Sequence, residues 1–74
     1  MSWSVYQGYG IQFMKDRARP TGWLLRARIH WHALGGGAFC DIYPLAPVVV
    51  PTREEAEARS LRMAMLAIDR GELQ

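Results

Sequence analysis

Residues 24–34, LLRARIHWHAL, separate into two rows of side chains when every second residue is read. The apolar row, which Trp23 extends by one position, is Trp23, Leu25, Ala27, Ile29 and Trp31. The alternate row is Arg26, Arg28, His30 and His32. A period of two is typical of a β-strand with one buried face, so the pattern predicts a strand over 22–34. The tryptophan row is expected to face a core, because burial stabilises each large apolar side chain by roughly 1.5–3 kcal/mol. The basic row is then expected to point away from that core.

Two further strands are predicted, one on each side of this segment. Residues 5–14, VYQGYGIQFM, alternate in the same way, and residues 38–43, AFCDIY, follow a GGG run suited to a tight turn. In the third strand, Cys40 and Ile42 are expected to face inward, because an inward Asp41 would be costly without a partner.

The first predicted strand contains residues whose side of the sheet matters for a binding site. Val5 groups with the apolar residues, whereas Tyr6 falls on the same side as the basic row. Gly8 and Gly10 weaken the strand and indicate a bulge or a close backbone contact. After the third strand, the Pro-rich residues 44–51 are expected to form an extended connector or an edge strand.

A helix is predicted after Pro51. Thr52 is its expected N-cap, Glu55 completes a capping box, and Gly71 is the expected C-terminal cap. Its apolar face is predicted from the helical period to contain Ala56, Ser60, Leu61, Met63, Ala64, Ala67 and Ile68. Leu66 falls among the polar residues and is interpreted as either a stray exposed residue or a dimer contact.

These elements predict an α+β fold of the order β-β-β-α. A three-stranded antiparallel meander sheet would carry one C-terminal helix on one face, leaving its other face open. Residues 1–74 are expected to form a single small domain, with 1–3 and 71–74 frayed.

The composition narrows the classes of protein to which the chain can belong. It has 74 residues, half of them hydrophobic, and a net charge of +2. This charge is too small to indicate nucleic-acid binding by itself.

Cys40 is the only cysteine, so no disulfide forms within the chain, and no apolar stretch approaches the roughly 20 residues of a membrane helix. No signal peptide is recognised, and a cytoplasmic location is expected. Because so small a domain buries a limited core, self-association is the expected source of added stability.

Three motifs resemble a group of small bacterial domains of uncharacterised function. They are YQGYGIQ at 6–12, GWLLRARI at 22–29 and PTREEAEARSLRMAMLAIDRG at 51–71. The resemblance implies the β-β-β-α fold and carries no catalytic residue across.

The β-β-β-α order is also similar to the latter part of a double-stranded-RNA-binding domain. However, no helix precedes the first strand. The predicted helix also begins with Glu54, Glu55 and Glu57 in place of the lysines that such domains use, and these acids would repel RNA.

The basic row is the candidate binding site. Arginine and histidine at these positions suit phosphate or carboxylate groups, and a stacking aromatic ring would add to such a surface. The candidate residues are Arg26, Arg28, His30 and His32, with Arg17 and Arg19 in the adjoining loop and Tyr6 as a stacking ring. The alternative is that the row is simply the solvated side of an open sheet.

The leading hypothesis is a small non-enzymatic binding module that contacts an acidic protein partner or nucleic acid through this face, with protein favoured. The alternative is a structural homodimer formed through the open face or through the outer helix surface around Leu66. Two open faces would meet only if acids such as Asp41 neutralised the basic row.

The sequence predicts no catalytic centre, metal site, cofactor, small-molecule substrate or membrane association. His30 and His32 lack a third metal ligand. Cys40 is expected on the opposite side of the sheet from the histidines, and the glycine runs do not lead into a helix as a phosphate-binding loop does.

Overall fold

The computed structural model describes residues 3–14, 22–35 and 37–72. In chain order, the elements are β1 (Trp3–Tyr6), β2 (Tyr9–Phe13), β3 (Trp23–Leu24), β4 (Ala27–His30), β5 (Phe39–Ile42), β6 (Val49–Val50) and α1 (Arg53–Asp69). The main sheet is antiparallel with the order β1-β2-β4-β5, and β3 pairs with β6 in a second sheet. The predicted α+β class, antiparallel sheet and C-terminal helix are confirmed.

The main sheet has four strands where three were predicted, because residues 5–14 contain a turn. Gln7 and Gly8 have positive φ angles of 49° and 83°. This is the geometry of a two-residue hairpin turn whose twist suits the flanking strands. The prediction of one strand was therefore wrong, and β1 and β2 form a hairpin.

The hairpin also changes the side of the sheet on which the residues of β1 lie. Tyr6 pairs with Tyr9 and Val5 pairs with Gly10, and directly paired residues share a face. Tyr6 consequently lies on the α1 side, where its hydroxyl donates to the Asp69 carboxylate at 2.8 Å. Val5 lies on the opposite side and is exposed. Both predicted orientations were wrong, because the two turn residues shift the alternation of β1 relative to β2.

The second predicted strand is present as two short strands, β3 and β4, with Leu25 and Arg26 between them. At this break the Arg26 amide donates to the hydroxyl of Ser60 on α1 at 3.0 Å. Leu25, Ala27 and Ile29 are buried, as predicted.

The two tryptophans of the predicted apolar row have different environments. Trp23 is partly buried against the core, whereas Trp31 is 38% exposed. The core assignment of Trp31 was wrong, because β4 ends at His30 and the chain then turns, with the Gly35 amide donating to the His32 carbonyl at 2.9 Å.

The core lies between the main sheet and α1, which crosses β2 and β4. Its buried residues form two clusters, Ile11, Ala27, Ile29, Ala64 and Ala67 in one and Phe13, Leu25, Val50 and Ala56 in the other. Cys40 and Ile42 pack against the first cluster, so their predicted inward orientation is confirmed. The helix contributes mainly alanine here, which lets it lie close to the strands.

The predicted N-cap at Thr52 and C-terminal cap at Gly71 are confirmed. The Thr52 hydroxyl accepts from the Glu55 amide at 3.2 Å, and Gly71, with φ 69°, donates its amide to the Ile68 carbonyl. Before the helix, Val49 and Val50 pair with β3, so the edge-strand alternative holds for these two residues. The described residues include no helix with the length and apolarity needed to cross a membrane.

Candidate interaction face

The side of the main sheet away from α1, here called the open face, displays two rows of residues that run across the strands. The strand register defines both rows, because paired residues share a side. One row is Trp3, Gln12, Arg28 and Asp41, and the other is Val5, Gly10, His30 and Phe39. Both rows therefore cross all four strands.

Asp41 binds two of the predicted basic residues. Its carboxylate accepts from Arg26 Nη2 at 2.8 Å and from Arg28 Nε at 2.8 Å. The hydrogen bond from Arg28, with further stabilisation from Arg26, lowers the pKa of Asp41, although partial burial opposes this shift. The same hydrogen bond raises the pKa of Arg28. This group of three residues, the Asp41 cluster, carries a formal charge of only +1.

Aromatic rings occupy the part of the open face next to the Asp41 cluster. The ring centroids of Trp3 and His30 lie 4.8 Å apart, and those of His30 and Phe39 lie 5.7 Å apart. The Arg28 guanidinium lies 4.1 Å from the centroid of Phe39, within the range of a cation–π contact. Much of each outer ring remains accessible, since Trp3 is 36% and Phe39 is 48% exposed.

Gly10 and Ala33 position the Trp3 ring. Trp3 Nε1 donates to the Ala33 carbonyl at 3.0 Å. A Cβ at Gly10 would lie 2.6 Å from Trp3 Cζ2, so only glycine leaves room for the indole at this position. The close backbone contact that the sequence indicated at Gly10 is the contact with this ring.

His30 is a ring of the aromatic stack rather than an accessible base or ligand. Neither of its nitrogens is solvent-accessible, and neither has a hydrogen-bond partner in the described part of the chain. His32 lies in the turn after β4 and is exposed. Across residues 3–14, 22–35 and 37–72, no three His, Cys, Asp or Glu side chains are grouped in a way that would hold a metal ion.

Cys40 lies on the core side of β5, as predicted. Desolvation is the main cause of the raised pKa of its thiol, with a smaller contribution from the charge of Asp41. A raised pKa disfavours the reactive thiolate, so the residue has the environment of a packing side chain.

The open face brings together only part of the predicted site. Arg26, Arg28 and His30 lie close to one another through Asp41 and the ring stack, whereas Tyr6 is on the other side of the sheet. Arg17 and Arg19 lie outside the described residues.

Val5 and Phe39 of the open face were missed as site candidates, and the sequence pattern did not place Trp3 on this face. The Gln-Gly pair at 7–8 was the available signal for Trp3 and Val5, because a two-residue turn there moves both onto the open face. For Phe39, the available signal was its alternation with Cys40. Comparisons of the chain with protein families, with curated proteins and with solved structures find no match, so function is inferred from the open face itself.

Proposed function

We propose that this protein is a non-enzymatic protein-docking module that self-associates through its open face. The observation that carries this proposal is the Asp41 cluster. One carboxylate holds both arginines of the face, so the surface is nearly neutral and mainly displays Trp3, Val5 and Phe39. Exposed aromatic groups next to paired charges are typical of protein interfaces rather than of phosphate-binding surfaces.

A second copy of the chain is the partner that fits this face. In a two-fold interface each copy presents the same patch, so each contributes both the arginines and the Asp41 carboxylate. Because the Asp41 carboxylate offsets one of the two arginine charges within each copy, each face carries +1 rather than +2, and the repulsion between two such faces is reduced. Stacked sheets of this kind pack about 10 Å apart.

The size of the face indicates a weak dimer. Four strands spaced about 4.8 Å apart and four residues rising about 3.3 Å each give a projected area of roughly 250 Å². A standard interface buries about 800 Å² of accessible surface on each partner. Protruding side chains make the accessible area larger than this projected area, but we still expect self-association in the micromolar range or weaker.

The test is sedimentation velocity over a concentration series from low micromolar to millimolar. We expect wild type to shift from monomer to dimer and Val5→Glu to remain monomeric, since Val5 is 61% exposed and its replacement leaves the core intact. Leu45→Glu is the matched control, because Leu45 is fully exposed and lies outside both rows of the open face. Monomeric wild type at millimolar concentration, or equal effects of the two variants, would refute the proposal.

A second candidate is binding of single-stranded nucleic acid to the same face. The ring stack with Arg28 over Phe39 favours it, because bases stack on such aromatic and guanidinium surfaces. Asp41 competes with phosphate for both arginines. Wild type is therefore expected to bind a fluorescent single-stranded oligonucleotide poorly even at low salt. The Asp41→Asn variant is expected to bind it more tightly. Tight binding by wild type that Phe39→Ala abolishes would favour this function over self-association.

A further inference from the structure

A groove lies on the other side of β5, between this strand and α1. It has a volume of about 760 Å³. Because α1 crosses β2 and β4, it leaves the α1 side of β5 partly uncovered. The floor of the groove is apolar and is lined by Leu25, Ile42, Met63, Leu66 and Ala67.

The groove adjoins the Asp41–Ile42 end of a sheet edge that no other strand of the described residues pairs with. β5 is the last strand in the order β1-β2-β4-β5. The Trp31 amide donates to the Ala38 carbonyl, which fixes the alternation of hydrogen bonds along the two strands. Cys40 and Ile42 therefore direct their backbone groups toward β4, and Phe39 and Asp41 direct theirs toward the unpaired edge. These groups match the ladder of an added strand.

Three arginines line the groove, namely Arg59 and Arg62 of α1 and Arg70, which directly follows the helix. Arg59 and Arg70 make long, exposed ion pairs, with Glu55 at 3.6 Å and Glu72 at 3.9 Å. Exposed pairs of this kind are weak and exchangeable.

Arg62 is exposed and has no ion pair in the described residues. Glu72 also lines the groove, and the Asp41 carboxylate is engaged by two arginines on the open face. The α1 side of the groove is therefore net positive.

We propose that the β5 edge and this flank of α1 bind an extended acidic peptide segment, which adds as a fifth strand of the main sheet. Its backbone pairs with Phe39 and Asp41, its apolar side chains contact the floor, and its carboxylates contact Arg59, Arg62 and Arg70. A second copy of the chain suits the groove poorly, because β5-to-β5 pairing about a two-fold axis would bring the arginine flanks of both helices together. This surface shares only Phe39 and Asp41 with the open face, through their backbone edge rather than their side chains, so either proposal can fail without the other.

The test is an NMR titration of ¹⁵N-labelled protein, at a concentration where it is monomeric, with a short synthetic peptide of alternating glutamate and valine. We expect amide shifts at Phe39, Asp41 and along the arginine flank of α1. A peptide with lysine in place of glutamate is expected not to bind. A version methylated on every backbone amide retains the side chains and loses the donors to β5, so it is also expected not to bind.

Two variants separate the effect of a charge in the groove from the effect of the net charge of the protein. Arg62→Gln and Ala58→Glu change the net charge by the same amount, but Ala58 is an exposed helix residue that does not line the groove. Arg62→Gln is expected to weaken peptide binding about two- to fivefold, the range of one exposed ion pair, and Ala58→Glu to change it little. The proposal is overturned if no shifts occur at millimolar peptide, or if they occur at Trp3, Val5 and His30 of the open face instead of along the arginine flank of α1. It is also overturned if the methylated peptide binds equally well, or if both variants act alike.

Discussion

Replacing Gly10 with alanine tests whether the Trp3 ring is held on the open face by the contacts described. The new methyl group would lie 2.6 Å from Trp3 Cζ2 and 3.0 Å from the Ala33 carbonyl oxygen. The carbonyl belongs to the backbone and yields little, so the indole must move. Its movement breaks the hydrogen bond from Trp3 Nε1 to Ala33 and separates the ring from His30.

The expected loss of stability follows from three contributions. Overpacking destabilises by about 1–3 kcal/mol, and the lost hydrogen bond adds about 0.5–1.5 kcal/mol. The reduced freedom of the unfolded chain opposes these losses by about 0.4–1 kcal/mol. The free energy of unfolding should therefore fall by about 2 kcal/mol, which corresponds to a decrease in Tm of roughly 8–16 °C for a domain of this size.

The assay is urea unfolding followed by circular dichroism, in a double-mutant cycle with Trp3→Ala. In the Trp3→Ala background, Gly10→Ala should cost much less, because the ring that it displaces is gone and only the 3.0 Å contact with the Ala33 carbonyl remains. Gly8→Ala is the control: no atom lies within 4 Å of its new methyl group, and its φ of 83° alone causes strain, so its effect should not depend on Trp3. An equal effect of Gly10→Ala with and without Trp3 would refute the reasoning.

Variants at three further positions test the Asp41 cluster, the helix–sheet contact and the helix cap. The folded-state pKa of Asp41 lies below its ordinary value of 3.8. Its ionised form therefore stabilises the protein above that value, and this stability is lost as the pH falls through the folded pKa. Asp41→Asn should flatten this acid dependence in urea-unfolding midpoints, and an unchanged profile would contradict the assignment. Ser60→Ala should lower the free energy of unfolding by about 1–2 kcal/mol, because the Arg26 amide loses its hydrogen bond. Ser60→Thr keeps a hydroxyl group at this position, so its loss of stability should be smaller if the hydrogen bond is the cause. Thr52→Ala should lower the free energy of unfolding by about 1 kcal/mol. Thr52→Ser should not lower it, since serine also caps helices. Equal losses in the two variants would show that the methyl group of Thr52 matters rather than its hydroxyl.

The parts of the fold that sequence reasoning predicted are those set by local pattern. The alternation around Ala27 and Ile29 is strict, and burying that row leaves the basic residues on the other side of the strand. The caps at Thr52 and Gly71 depend on residues close in sequence, so the bounds of α1 were accessible. The helix face was accessible too, because its period is fixed by the geometry of the helix.

The parts that were missed depend on turns and on strand register. Gln7 adopts a positive φ, which is uncommon for a residue other than glycine, and this turn determines the side on which Val5 lies. The pairing of Arg28 with Asp41 depends on the register of β4 with β5, and thus on the conformation of the intervening loop. The charge of the open face was therefore misjudged, because the nearest acid in space is thirteen residues away in sequence.

The hydrogen bonds from Tyr6 and Gln7 to Asp69 join segments 63 and 62 residues apart. Closing so long a loop is slow and entropically unfavourable. A ribosome making this protein must therefore release almost the whole helix before the first hairpin finds its last native contacts. Until then, the apolar side of the hairpin has no cover, and it is at this stage of synthesis that the nascent chain is most exposed to aggregation and to chaperone capture.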